Sequence, residues 1–224
     1  MCGRFSLTAN LTAVAQRFGV PRPTAESAVW TPHYNIAPTK TVVVVGDDGT
    51  CYLAQMRWGL IPSWAKDPAI GNRMINARAE TLAVKPTFRV ALHKRRCLVV
   101  ADGFYEWQKQ GRGKQPFYIA LKSQEPFGFA GLWETWTARD GEAIRTCTII
   151  TTEANELLKP IHDRMPVILT REAEAVWLDP TTEDPARLLP FLKPYAVQDM
   201  VAYPVSPRVN NPSHDSPECT VPLR

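Results

Sequence analysis

The sequence predicts an α+β fold: a single domain on a mostly antiparallel, barrel-like β-sheet, with helices inserted between its strands and flanking them. Three observations carry that expectation. Short strand-like runs recur along the chain, some joined across glycine turns. Helical periodicity is confined to a few brief stretches between them. No repeat, low-complexity tract or linker divides the 224 residues, of which 45% are hydrophobic and 21% charged, so one core is expected. That domain should span residues 2–224, with the proline- and asparagine-rich segment 205–224 wrapping the surface.

Taken in order, residues 8–18 place Leu11, Val14, Ala15 and Phe18 on one face of a short helix. A proline-rich connection follows from Pro21 to Pro38. Residues 41–45 and 51–58 read as a hairpin around Gly46-Asp47-Asp48-Gly49. The loop 61–68 carries Trp64 among prolines. Asn76 opens an expected helix through Glu80, continued or restarted from Pro86 to Arg96. Residues 97–100 read as a buried strand, and 104–108 pairs through the Gly111–Gly113 turn with 117–121. Strands follow at 128–133 and 146–151, then a helix at 154–158, a strand at 165–169 and a helix at 171–178.

Composition excludes several classes. A net charge of +4 and a pI near 8.8 allow a polyanionic partner without requiring one. The five cysteines (Cys2, Cys51, Cys97, Cys147 and Cys219) are widely spaced and form no disulfide framework, which points to a reducing compartment. No signal peptide and no bilayer-spanning run are read, so a cytoplasmic protein is expected, nucleoid-associated in a bacterium or nuclear in a eukaryote. His33, His93, His162 and His214 lack ligand spacing, so no metal is expected. Nor is a cofactor: there is no glycine-rich phosphate loop, and no nucleophile elbow of the serine hydrolases.

The chemistry concentrates at the first residues, Met1-Cys2-Gly3-Arg4-Phe5. Removal of Met1 puts an α-amine and a thiol on neighbouring carbons. Such an amine titrates near ~7.7–8.0, so about a quarter is neutral at physiological pH, and together the two groups can close a five-membered ring on an aldehyde. Glu106 stands between aromatics in Asp102-Gly103-Phe104-Tyr105-Glu106-Trp107, where drying would raise its pKa toward acid–base use; a solvent-facing glutamate is the alternative. His162, in Ile161-His162-Asp163-Arg164-Met165-Pro166, is either a proton shuttle or a loop histidine on a carbonyl. Asn76 either caps a helix or holds an amine or oxygen without titrating. Arg4, Arg78 and Arg164 are candidate phosphate partners or surface arginines. Trp64 either stacks on a base or covers the core.

Jointly, the first five residues, Tyr34-Asn35-Ile36-Ala37-Pro38, Met56-Arg57-Trp58-Gly59-Leu60-Ile61-Pro62, Ile75-Asn76-Ala77-Arg78-Ala79-Glu80-Thr81, the stretch from Cys97 to Trp107 and the His162 motif resemble the SOS response-associated peptidase (SRAP) family. The resemblance runs from residue 2 to about residue 215. It implies a protein that protects abasic sites in single-stranded DNA by trapping the open sugar aldehyde on the N-terminal cysteine as a thiazolidine. By the same resemblance Cys2 is the nucleophile, Asn76 positions it, Glu106 is the acid–base residue, and His162 assists ring opening and reversal. Arg4, Arg78 and Arg164 match residues lining the DNA channel, Pro38 and Trp64 match residues packing on bases, and Thr151 matches a polar position nearby. Where some relatives carry an arginine, this chain has Lys85-Pro86-Thr87, so that contact either falls to Lys85 or is missing.

The expected partner is single-stranded DNA bearing abasic sites, met by a monomer with no membrane or metal. Two other readings remain open at this level. An N-terminal cysteine amidohydrolase or peptidase would use the α-amine as base for its own thiol, and self-removal of residues ahead of Cys2 belongs with it. A non-covalent reader of single-stranded or modified DNA is the other.

Overall fold

The computed structural model describes residues 2–21 and 30–223. Met1 and residues 22–29 of the proline-rich connection lie outside them. In chain order the strands are β1 (Phe5–Leu7), β2 (His33–Ile36), β3 (Thr41–Asp47), β4 (Cys51–Trp58), β5 (Asn76–Arg78), β6 (Arg96–Ala101), β7 (Gly103–Gln110), β8 (Gly113–Leu121), β9 (Phe127–Thr137), β10 (Ala143–Glu153), β11 (Arg164–Pro166) and β12 (Met200–Pro204). The helices are α1 (Leu11–Arg17), α2 (Pro86–Lys94), α3 (Arg171–Leu178) and α4 (Pro185–Leu188).

The densest apolar runs make a closed barrel. Val42 to Val45 in β3 and every residue of β6 are buried, as expected of strands covered on both faces. The ring runs β10-β4-β3-β6-β9 and closes because β9 also pairs with β10 along Ala143↔Thr137 to Ile149↔Gly131. Closure removes the open edges a sheet would otherwise expose. Among the described residues, only the β10 pairings with β4 and β5 are parallel. A second sheet, β12-β8-β7-β1-β2, packs against the barrel. Aromatic rings join the two: Phe5 meets Trp58 at 5.0 Å and Phe129 at 5.9 Å between centroids, and Phe104 meets Phe129 at 5.9 Å. The strand behind Cys2 is therefore plugged into the core by its first side chain.

Helices cover the barrel, and their ends are satisfied by specific groups. Asn10 and Thr170 accept the Ala13 and Ala173 amides as N-caps of α1 and α3, and Pro86 opens α2. Arg96 is buried, and its guanidinium donates to the carbonyls of Leu92 and His93 from α2, of Trp177 in the last turn of α3 and of Asp179, its C-cap. One cation thus closes two helix C-termini. Arg17 and Glu174 form a bidentate pair tying α1 to α3.

Two expected helices are absent. The segment opening at Asn76 forms β5 and then a 3-10 turn at Ala79–Thr81, because Asn76, Ala77 and Arg78 find backbone partners on β10 at Ile149, Ile150 and Thr151. Residues 154–158 form turns: Asn155 takes the Leu158 amide on its own side chain, and Pro160 stops helical continuation. β1, β2 and β12 arise in stretches not read as strands. After β12 the chain runs across the small sheet, and Val205 bridges Pro222.

Candidate active site

Cys2 is fully buried. Its placement follows from β1, which pairs with β7 (Phe5↔Phe104) while the Tyr105 amide donates to the Arg4 carbonyl at 2.9 Å. Asp102 accepts from the Ser6 hydroxyl at 2.6 Å, from the Thr8 hydroxyl at 2.7 Å and from the Thr8 and Ala9 amides, pinning the far end of that strand. On the opposite side, Asn76 Nδ2 donates to the Cys2 carbonyl at 2.8 Å. Asn76 Oδ1 is buried with no hydrogen-bond partner among the described residues, leaving an acceptor beside the start of the chain.

β7 delivers Glu106 to the same place. It is 2% exposed, and burial raises its pKa above the ordinary carboxylate value, with the nearby His162 charge opposing the rise. Burial also pushes the Cys2 thiol far up, and the negative charge of Glu106 adds to the effect. The thiol is thus held protonated while the carboxyl is moved toward neutrality.

His162 follows the turns after β10. Its Nδ1 lies 3.0 Å from the Arg164 amide, which donates, and 2.9 Å from Asp163 Oδ1. Those contacts are alternatives: the first needs a lone pair on Nδ1, the second a proton.

A basic edge adjoins this group. Arg78 is exposed on β5, in register with the buried Thr151 of β10. Arg164 Nη2 donates to the Thr151 carbonyl at 2.7 Å. The same guanidinium makes a bidentate pair with Glu80, at 2.6 and 3.0 Å. Arg4 is half-buried: Nη1 donates to Asn35 Oδ1 at 2.7 Å and to the Val209 carbonyl at 2.8 Å, and the guanidinium lies 5.9 Å from the Trp107 ring.

The structure therefore brings Cys2, Asn76 and Glu106 together, sets His162 within electrostatic reach, and lines Arg78, Thr151 and Arg164 along β5, β10 and β11. Three expected site residues stand apart from this hydrogen-bonded group. Pro38 is half-buried in the turn between β2 and β3, Trp64 is 63% exposed on its loop, and Lys85 is exposed at the N-cap of α2. Sequence reasoning missed Glu80, Asn35 and Asp102 as partners. Each lay in or beside a singled-out motif, but nothing local tells that Glu80 meets an arginine 84 residues away. Among the described residues no group of three or more His, Cys, Asp or Glu side chains could hold a metal, and no helix is long and apolar enough to cross a membrane.

Known proteins share this arrangement of strands and sequence. A crystal structure of a protein from Bacteroides thetaiotaomicron superposes with a TM-score of 0.91 at 30% identity over all of both chains. The chain is 49% identical over 220 residues to the abasic site processing protein YoqW of Bacillus subtilis (strain 168), covering 97% of this chain and 98% of that one. It is 35% identical over 229 residues to the abasic site processing protein HMCES of Xenopus tropicalis, covering 87% of this chain and 67% of the relative. The family model for SOS response associated peptidase (SRAP) matches residues 1–212. The chain belongs to the SRAP family.

Proposed function

We propose that this protein processes abasic sites in single-stranded DNA, with Met1 removed, by closing a thiazolidine between Cys2 and the sugar aldehyde. The observation that carries the reading is the burial of Cys2 against Asn76 and Glu106 at the head of the chain. The neutral α-amine adds to the aldehyde carbon, and the resulting hydroxyl leaves as water, taking a proton from the Glu106 carboxyl. The thiol then adds to the carbon of the resulting iminium, which leaves a neutral ring nitrogen, and the thiol proton returns to the Glu106 carboxylate. The balance is aminothiol plus aldehyde giving thiazolidine plus water. Ring closure removes the iminium that would otherwise promote strand cleavage by elimination. His162 assists opening of the closed sugar and reversal of the link.

Burial and the charge of Glu106 raise the Cys2 thiol pKa, which favours the α-amine as the first attacker and the thiol as the second.

Incubation with an abasic single-stranded oligonucleotide, followed by denaturing electrophoresis and intact mass, tests the proposal. The expected adduct weighs the chain lacking Met1 plus the DNA minus one water. A variant with one uncleavable residue ahead of Cys2 keeps the thiol but loses the amine, and should crosslink at background. Equal crosslinking by that variant, or Met1 retained in the adduct, refutes the mechanism.

A further inference from the structure

Glu80 is a carboxylate seated on Arg164, one of the candidate phosphate partners read from the sequence. It lies on the turn directly after Arg78, and its two oxygens meet Nη1 and Nη2 of Arg164 at 2.6 and 3.0 Å. That end-on bidentate geometry is the one a phosphate would adopt. Both the partner and the setting make the seat exchangeable. The Arg164 side chain is 15% exposed and Glu80 52% exposed, so the carboxylate sits on the solvent side and can move into water without disturbing the buried stem of Arg164. If Glu80 swings away, the Thr151 carbonyl still holds Nη2 at 2.7 Å and the fork stays aimed. The hydrogen bond from Arg164, helped by the charge of Arg78, holds the Glu80 carboxyl below its ordinary pKa, so it is ionised at neutral pH.

We propose that Glu80 occupies the phosphate seat of Arg164 and thereby sets specificity: it weakens the grip on any undamaged strand, leaving retention to the covalent step. The inference rests on the abasic-site reading of the same site. An arginine already neutralised by a carboxylate adds little to counterion release, so among the described residues Arg78, of the two arginines on β5 and β11, is the one that presents its charge without a carboxylate partner. Phosphate reaches Arg164 only by displacing Glu80. A strand without an aldehyde is released easily, whereas a strand with one is retained once Cys2 has reacted with it.

The test is fluorescence anisotropy with undamaged oligothymidylate across a salt series, comparing wild type, Glu80→Gln, Arg164→Ala and the double variant. Melting curves confirm that each is folded. Glu80→Gln keeps the shape and removes the charge, so Arg164 becomes one more released contact. The log–log slope should steepen by about 0.7, which is about an eight-fold tightening at ~50 mM if the curves converge near ~1 M salt. Arg164→Ala should change the slope little alone and abolish the gain in the Glu80→Gln background. Glu125→Gln, which removes an equal charge from the exposed Arg171 pair, should not reproduce the gain.

Weaker binding by Glu80→Gln would mean that Glu80 orients Arg164 for the strand, and the proposal falls. It falls equally if the slope is unchanged, if Glu125→Gln does the same, or if neither wild type nor Glu80→Gln binds. Adduct formation by wild type on an abasic strand is scored separately. Its absence overturns the abasic-site reading, whereas adduct with an unmoved slope overturns the Glu80 inference alone.

Discussion

Glu106 shows at the scale of one residue how burying an ionisable group works against the fold that carries it. Buried at 2% exposure, its carboxyl titrates above the ordinary value, with burial the main cause. The unfolded chain releases this proton near ~4.3 and the folded chain at a higher pH. Between those values the unfolded state binds fewer protons, so stability falls as pH rises through the window and stays lowered above it. Glu106→Gln removes the buried charge without changing shape. Its melting temperature at pH 7 should exceed that of wild type, and the gap should close as pH drops below ~4. Calorimetry across pH checks this, and a gap independent of pH would assign the effect to packing. The same variant should form adduct about 10²-fold more slowly, as loss of a general acid–base group implies. Stability and chemistry would then move in opposite directions on one substitution.

At the scale of elements, the site depends on strands too short to announce themselves. β1 and β5 hold three residues each, fewer than the four or so over which alternation can be read. Each exists because a neighbouring edge was available, β7 for β1 and β10 for β5. The long β-branched run of β3 and the apolar run of β6 were legible because their burial is written in consecutive residues. The helix expected from Asn76 was not there because a cap signal is local and a strand partner is not. The site divides the same way. Cys2, Glu106 and His162 stood out as rare groups in unusual settings, while their holders, Asp102 and Asn35, look like ordinary turn polar residues. Asp102 accepts four bonds from Ser6, Thr8 and Ala9. Asp102→Ala should strand those donors at a cost of about 3 kcal/mol and let β1 drift relative to Glu106. Hydrogen exchange at Thr8 and Ala9 should accelerate and adduct formation slow. Unchanged exchange would show that Phe5 in the core suffices to hold the strand.

Across the whole molecule, the closed barrel fixes one end of the site and the two chain termini fix each other. Asn35, 3% exposed in β2, is where they meet. Its Oδ1 accepts from Arg4, and its Nδ2 donates to the carbonyls of Val209, Asn211 and His214. Asp215 returns the grip by accepting the Tyr34 and Asn35 amides and pairing with His33. The tail covers the outer face of the small sheet, where Val205, Val209 and Cys219 are buried with Tyr105 and Tyr118. The C-terminal segment therefore braces the segment that carries Cys2, acting through Arg4 and β1. Asn35→Ala removes four hydrogen bonds, one to Arg4 Nη1 and one to each of the Val209, Asn211 and His214 carbonyls, each of which keeps one other partner, at a total cost of about 3 kcal/mol. For a chain of this size that is a drop of about 6–12 °C in melting temperature. The loss should be local: amides of Asn211 and His214, bonded within the tail, should exchange faster, while those of β3 and β6 keep their protection. Adduct formation should slow as well, because Arg4 loses an anchor two residues from Cys2. Faster exchange in the barrel with an undisturbed tail would show that Asn35 stabilises the fold generally and that the brace does not exist.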